Sequence, residues 1–424
     1  IVEPWNSPSN LTPRPSGRTL STFSPRSSAG ADATKKNNSK GSELFMKVLI
    51  LSCNTGEGHN SCAAALEEEC RNQNIPCDTE DALRFISPEV SRFISNWHVR
   101  IYRHAPGLFR VGYRAAEDHP AQFHEGSALY RYLTQGAEKL CGFIAGSGYD
   151  TVICTHTFAA LMVSEVVKTH LPNLKTCFIA TDYTCSPSVK DSSLDRYFIP
   201  ASSLSGDFLG GGVTSERLRA CGIPVRQMFR SSVRKEDAKR AFGIPADHKH
   251  LVMMCGSMGC GPIMSIARRI GRDLPDDQDL TIVCGTNKQL YRRLQRRFYD
   301  VKNVHVRSYV KDMALLMDSA DLYLTKPGGI SVTEAASMRL PMVFIDAVAG
   351  CEEYNKDFFL RTGGAVTGQT PKEIARTSLR LLSDKDALEK MGDALDAAVP
   401  HNAAANILSE MSEAEEEEKE EDLA

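Results

Sequence analysis

Lys47-Val48-Leu49-Ile50-Leu51-Ser52-Cys53 runs directly into Asn54-Thr55-Gly56-Glu57-Gly58-His59, and an Ala-, Leu- and Glu-rich stretch follows from about Asn60. A compact apolar run, a glycine turn and a helical stretch, in that order, open a βαβ unit. The same grammar recurs along the chain. Apolar runs at 151–155, 176–181 and 196–199 complete a first series, and runs at 251–255, 281–284, 304–308, 322–325 and 341–345 form a second. Near-continuous apolar strands alternating with helices predict parallel sheets covered on both faces. Two such series predict an α/β protein of two doubly wound, Rossmann-like domains facing across a cleft, with a seam near 225–250. Ligands then belong at the carboxyl ends of the strands, in that cleft.

The expected divisions are a disordered segment at 1–45, a first domain at 46–230, a second at 231–400 and an acidic disordered tail at 401–424. The 424 residues suffice for two or three domains with a real core. Residues 1–45 are rich in Ser, Pro, Thr and Asn and lack the apolar core of a signal peptide, so Met46 is the expected physiological start. Glu413 to Asp422 carries eight acids and one Lys, whereas the first 45 residues carry a basic excess. The body between is close to neutral, which argues against a nucleic-acid partner. No apolar run is long enough to span a bilayer. Thirteen cysteines without a C-x-x-C pair read as reduced thiols of a cytoplasmic protein.

Three loops carry the chemistry. In the first, the glycines at 56 and 58 permit a tight turn and close approach of a ligand, and His59 stands near a helix N-terminus, where the dipole favours its neutral form. A neutral imidazole there suits a general base; an ordinary strand–helix turn with an incidental His is the alternative. The second loop, Cys255-Gly256-Ser257-Met258-Gly259-Cys260-Gly261-Pro262, offers backbone N–H groups to phosphate. The third is Thr325-Lys326-Pro327-Gly328-Gly329-Ile330-Ser331-Val332-Thr333-Glu334-Ala335. Ser331 and Glu334 have capping-box spacing. The same turn also offers N–H groups to a diphosphate, with a carboxylate one turn on for ribose hydroxyls. Asp277-Gln278-Asp279 imitates a metal-binding DxD but falls at the amino end of a strand, and is expected to be solvated surface.

Together with Cys154-Thr155-His156, Thr181-Asp182-Tyr183 and Gly350-Cys351-Glu352-Glu353-Tyr354-Asn355, these loops resemble the GT-B glycosyltransferases of the monogalactosyldiacylglycerol synthase and processive diacylglycerol glucosyltransferase family. The resemblance spans residues 46–398, and the KPGG-x-SVTEA and G-x-EE-x-N pair is its specific part. It implies inverting transfer of a hexose from a UDP-sugar, UDP-glucose or UDP-galactose, to diacylglycerol or a glycolipid, with no bound cofactor or metal. By position, His59 would be the base and Asp182 would orient the acceptor or His59, unless it is a capping Asp. Gly256, Ser257, Met258, Gly259, Gly328, Gly329 and Ser331 would hold the diphosphate. Glu334 would bind the ribose, main chain at Tyr309 and Val310 the uracil, and Glu353 and Asn355 the donor hexose.

There are departures. Glu57 replaces a common Gly, the Arg230 to Arg234 stretch lacks a Gly-x-Pro-Val signature, and Thr184-Cys185-Ser186-Pro187 replaces a His and a later Trp. Another lipid-linked acceptor, a UDP-sugar epimerase or hydrolase, and a nucleotide-sugar sensor therefore stay open. Residues 84–114 carry Arg84, Arg92, Arg100, Arg103, Arg110 and Arg114 among Phe85, Ile86, Phe93, Ile94, Trp97, Ile101, Tyr102, Leu108 and Phe109. That mixture suits an anionic membrane surface at the inner face of the cell membrane, or else an amphipathic helix packed on its own domain.

Overall fold

The computed structural model describes residues 46–421 apart from 105, 231, 257, 258, 260, 346, 348 and 349; side chains at 98–104, 106, 109–110 and 414–421 are also left aside. Segment 1–45, with its expected disorder, lies outside the described residues.

The first half builds a sheet from β1 (Val48–Ser52), β2 (Cys77–Asp81), β3 (Thr151–Cys154), β4 (Lys175–Ile179), β5 (Arg196–Phe198) and β6 (Leu218–Arg219). The second uses β7 (Lys249–Met254), β8 (Gln278–Val283), β9 (Val304–Arg307), β10 (Leu322–Thr325), β11 (Met342–Phe344) and β12 (Ala365–Thr367). Their orders are β2-β1-β3-β4-β5-β6 and β12-β11-β10-β7-β8-β9, and every pairing is parallel. The two doubly wound sheets are those the apolar runs predict. All five residues of β1 are buried, as a central parallel strand covered on both faces requires. Three strands escape the sequence pattern. β2 reads Cys-Asp-Thr-Glu-Asp at a sheet edge, and β6 and β12 are too short to show a run.

Strand order decides where ligands go. In the first sheet the chain winds one way from β1 to β2 and returns to β3 on the other side, so the crevice opens between the ends of β1 and β3. In the second the reversal lies between β7 and β10. The loops leaving these four strands are the Gly-His loop, Thr155-His156, and the two remaining glycine loops.

Two expectations are corrected here. The tail expected to be disordered from 401 is instead the helix Ala403–Glu421. Ala404, Ile407, Leu408 and Met411 recur on one face and are buried in the core that also holds Met46 and Leu66. Apolar periodicity before the acidic run outweighs the acidic composition, and Arg219 pairs with Glu410 at 3.0 Å. The Asp277-Gln278-Asp279 stretch is not solvated surface beyond Asp277. Gln278 and Asp279 are buried in β8, and Asp279 bridges His248 at 2.7 Å and His305 at 2.6 Å. A buried carboxylate needs such partners, and neighbouring strands supply them.

Candidate active site

His59 is the third residue of the helix Glu57–Asn72, which starts at the end of β1. Ser52 bonds Asn60 at 2.7 Å, Asn60 bonds Asn54 at 3.0 Å, and Asn54 bonds Asp81 at 2.9 Å, so the turn is tied to β1 and β2. The His59 Nδ1 lies 2.8 Å from the Thr155 carbonyl oxygen and 3.0 Å from the Thr181 hydroxyl. A carbonyl only accepts, so Nδ1 carries the proton and Nε2 is the basic nitrogen. The His156 ring meets His59 edge-on at 4.4 Å. His156 is itself fixed, because its Nδ1 accepts the Phe158 N–H and caps the helix Thr157–Thr169. Thr155, His156 and Thr181 thus hold His59 in place. Sequence reading gave them no role, although the CTH and TDY triplets were the available signal. Glu57 is exposed in the first turn.

Of the Thr181-Asp182-Tyr183 triplet, Thr181 is the residue hydrogen-bonded to His59, at 3.0 Å. The Asp182 carboxylate instead faces the second half. It accepts from Asn355 at 2.7 Å and from the Gly329 N–H at the start of the helix Gly329–Ser337. Burial is the main cause that pushes its carboxyl up, to about 6, against these hydrogen bonds. The approach is close: a Cβ on Gly329 would stand 2.0 Å from the Thr181 carbonyl oxygen, so only glycine fits.

Asn355 is corrected as well. It is expected at the donor hexose, but it is fully buried, with both amide N–H groups and one lone pair of its oxygen engaged within the protein. Its oxygen accepts from the Tyr183 N–H at 2.7 Å, while its nitrogen donates to Asp182 and, at 3.0 Å, to the Pro327 carbonyl. The Tyr183 hydroxyl bonds Thr333 at 2.9 Å, and its ring packs on Phe358 and Phe359. The TDY triplet is therefore a plug joining the halves. Glu353 is half-exposed, 3.9 Å from Arg114 of the first half.

The helix Gly329–Ser337 is not closed by a capping box. Gly328 is its N-cap with no side-chain hydrogen bond, and the Ser331 hydroxyl donates back to the Gly328 carbonyl at 3.2 Å. The Glu334 carboxylate, one turn in, has no hydrogen-bond partner among the described residues. Burial pushes its carboxyl up to about 8, partly opposed by the Arg226 charge. Lys326 is buried at the end of β10, its Cε 3.6 Å from where a Gly261 Cβ would be, so a cation lies between the two glycine loops. Gly256 is exposed, and Gly259 is held at φ 57° against the Cys284 carbonyl. Ser257 and Met258 lie outside the described residues. Tyr309 and Val310 follow β9, with the Tyr309 ring exposed.

In the 84–114 segment, Phe85, Ile86 and Ile94 turn into the core, as the packed-helix alternative has it. Phe93 and Trp97 are exposed and stack at 6.2 Å, with Leu108 and Val111 also exposed. Arg84 and Arg92 pair with Glu80 and Glu89. Side chains of Arg100, Ile101, Tyr102, Arg103, Phe109 and Arg110 lie outside the described residues. Among the described residues no helix is long and apolar enough to cross a membrane.

Comparison with known proteins places this geometry. Residues 59–225 match the monogalactosyldiacylglycerol (MGDG) synthase family, and residues 267–396 match glycosyl transferases group 1. The processive diacylglycerol beta-glucosyltransferase of Staphylococcus saprophyticus is 24% identical over 84% of this chain and 90% of its own length. That of Bacillus pumilus is 24% identical over 87% and 94%. Among solved structures, Acinetobacter baumannii MurG superposes with a TM-score of 0.57 at 14% identity, covering 87% of this chain and 99% of its own. A UDP-GlcNAc 2-epimerase from Neisseria meningitidis bound to UDP-GlcNAc gives 0.55 at 14% identity, over 87% and 100%. Each half of the GT-B fold thus carries one family match, the first half to monogalactosyldiacylglycerol synthase and the second to glycosyl transferases group 1.

Proposed function

We propose that this protein transfers a hexose from a UDP-sugar to the hydroxyl of diacylglycerol or a related glycolipid, with inversion and without a metal. The observation that carries the reading is the His59 imidazole at the β1–β3 crevice, its Nδ1–H committed to the Thr155 carbonyl at 2.8 Å. Its Nε2 accepts the acceptor proton as the hydroxyl oxygen bonds to the anomeric carbon and the bond to UDP breaks on the opposite face. Nothing in this step consumes the proton elsewhere, so His59 leaves the reaction as an imidazolium and returns its proton to water.

The departing UDP gains a negative charge that needs preorganised donors. The helix N-terminus at Gly329 and Ser331, the Gly256 to Gly259 loop and the buried Lys326 supply them in this reading. Glu334 takes the ribose hydroxyls, Tyr309 and Val310 the base, and Glu353 the hexose. The exposed Phe93, Trp97, Leu108 and Val111 carry the protein to the bilayer that holds the acceptor.

The test is radiolabelled transfer from UDP-glucose and UDP-galactose, in parallel, to diacylglycerol in anionic vesicles containing EDTA. A labelled glycolipid is the expected product, and its donor dependence identifies the hexose. Free sugar or an epimerised nucleotide would instead favour the chemistry named for the epimerase among the structural neighbours.

A further inference from the structure

A trough of about 1010 Å³ runs over the outer face of the second half, between the helices Ile263–Asp273 and Lys288–Arg297. Its walls carry Arg268, Arg269 and Arg272 from one helix and Lys288, Arg293 and Arg297 from the other, and no carboxylate among the described residues lines it. Arg272 is paired with Asp273, through two hydrogen bonds at 2.8 and 2.7 Å. The other five cations have no ion-pair partner among the described residues, and the Arg269 Nε is buried without a hydrogen bond.

This arrangement works against the fold that holds it. Arg268 with Arg272, and Arg293 with Arg297, are like charges four residues apart on one helix, a spacing that destabilises helices. The two rows also face each other across the trough, which adds repulsion between helices. A multiply charged anion between the rows removes both costs at once. At one end, the Asn287 side chain caps the Lys288–Arg297 helix and donates to the Gly259 carbonyl at 3.0 Å, so a helix N-terminus also opens there. Of the described residues expected to hold the donor, only Gly259 borders the trough.

We propose that this trough is a second ligand site, taking a multiply charged phosphate group, separate from the one that holds UDP. Paired guanidinium groups suit phosphate oxygens by bidentate geometry. The group has two possible carriers, a soluble oligophosphate or a phosphomonoester lipid headgroup, and the experiment separates them.

The full chain is titrated with sodium tripolyphosphate by calorimetry, and mixed in parallel with phosphatidylcholine vesicles with and without a phosphomonoester lipid. Arg269→Gln/Arg293→Gln is expected to weaken binding of the favoured probe by roughly tenfold or more, while UDP affinity stays within about twofold. Arg268→Gln/Lys288→Gln provides a second trough variant should the first fail to fold. Arg376→Gln/Arg380→Gln, on the helix Pro371–Leu382, removes the same charge elsewhere and should leave binding unchanged. Loss with tripolyphosphate assigns a soluble ligand; loss only with the lipid-bearing vesicles assigns the headgroup. Binding of neither probe, or equal weakening by the control pair, overturns the proposal.

Discussion

Asn355 donates to Asp182 at 2.7 Å and accepts from the backbone of Tyr183, so one amide of the second half holds the end of β4 in the first. Asn355→Ala would leave the Tyr183 N–H, the Asp182 carboxylate and the Pro327 carbonyl without it. Buried groups stripped of partners lose stability by about 1–3 kcal/mol each, with partial recovery through relaxation, and a loss of roughly 3 kcal/mol is expected. Thermal unfolding measures it. A sugar-reading Asn355 would behave differently: the donor KM would rise and the melting temperature would hold.

His59→Ala should lower transfer by about 10² to 10⁴-fold while UDP affinity is retained. Thr181→Val removes one contact of 3.0 Å and leaves the Thr155 carbonyl in place, so kcat should fall less than about tenfold. Single-turnover transfer and equilibrium UDP titration on the same preparations separate chemistry from binding. Loss of UDP affinity in His59→Ala would remove the base assignment.

Burial holds the Glu334 carboxyl at about 8, so it is mostly protonated at neutral pH. Ribose hydroxyls donating to it favour the ionised form, and UDP binding then releases a proton. UDP affinity should therefore rise as pH goes from about 6.5 to about 8.5, and Glu334→Gln should flatten the rise. The unliganded protein behaves in the opposite sense. The folded carboxyl binds its proton more tightly than the unfolded one, so its contribution to stability is retained at low pH and falls as pH rises from the ordinary 4.5 through 8. Calorimetry in two buffers of different ionisation heat counts the proton.

The exposed Phe93 and Trp97 pair predicts membrane contact through a surface of few residues. Phe93→Ser/Trp97→Ser should weaken vesicle binding by roughly 30-fold or more, since each buried aromatic contributes about 1.5–3 kcal/mol. Activity on acceptor dispersed in detergent should be unchanged. Vesicle flotation and the detergent assay together distinguish a docking surface from a defect in folding.

Much of this protein is legible in its sequence because its central strands are apolar along their whole length. β1 and β10 and the loops that leave them follow from pattern alone. The edge strand β2 does not, because an edge exposes polar side chains and its pattern resembles a loop. The site divides along the same line. His59, Gly329 and Glu334 sit at turns whose glycines mark them. Asn355 was misread because a polar residue beside two glutamates looks the same in sequence whether it faces a sugar or a buried carboxylate. Nothing in sequence spacing brings Arg268 and Arg269 to Arg293 and Arg297; the fold does, by setting their two helices side by side.

The helix Ala403–Glu421 has a consequence for how the molecule is made. It packs on the helix Glu57–Asn72, so the half holding His59 is not one continuous stretch of chain. About 190 residues of the other half separate Arg219 from its partner Glu410. At ribosomal speeds of about 5–20 residues per second, the first half waits roughly ten to forty seconds with an apolar face uncovered. A nascent chain with that face exposed is a natural client for chaperones that shield apolar surface. A cut within the helix Ala403–Glu421 therefore acts directly on the half that holds His59.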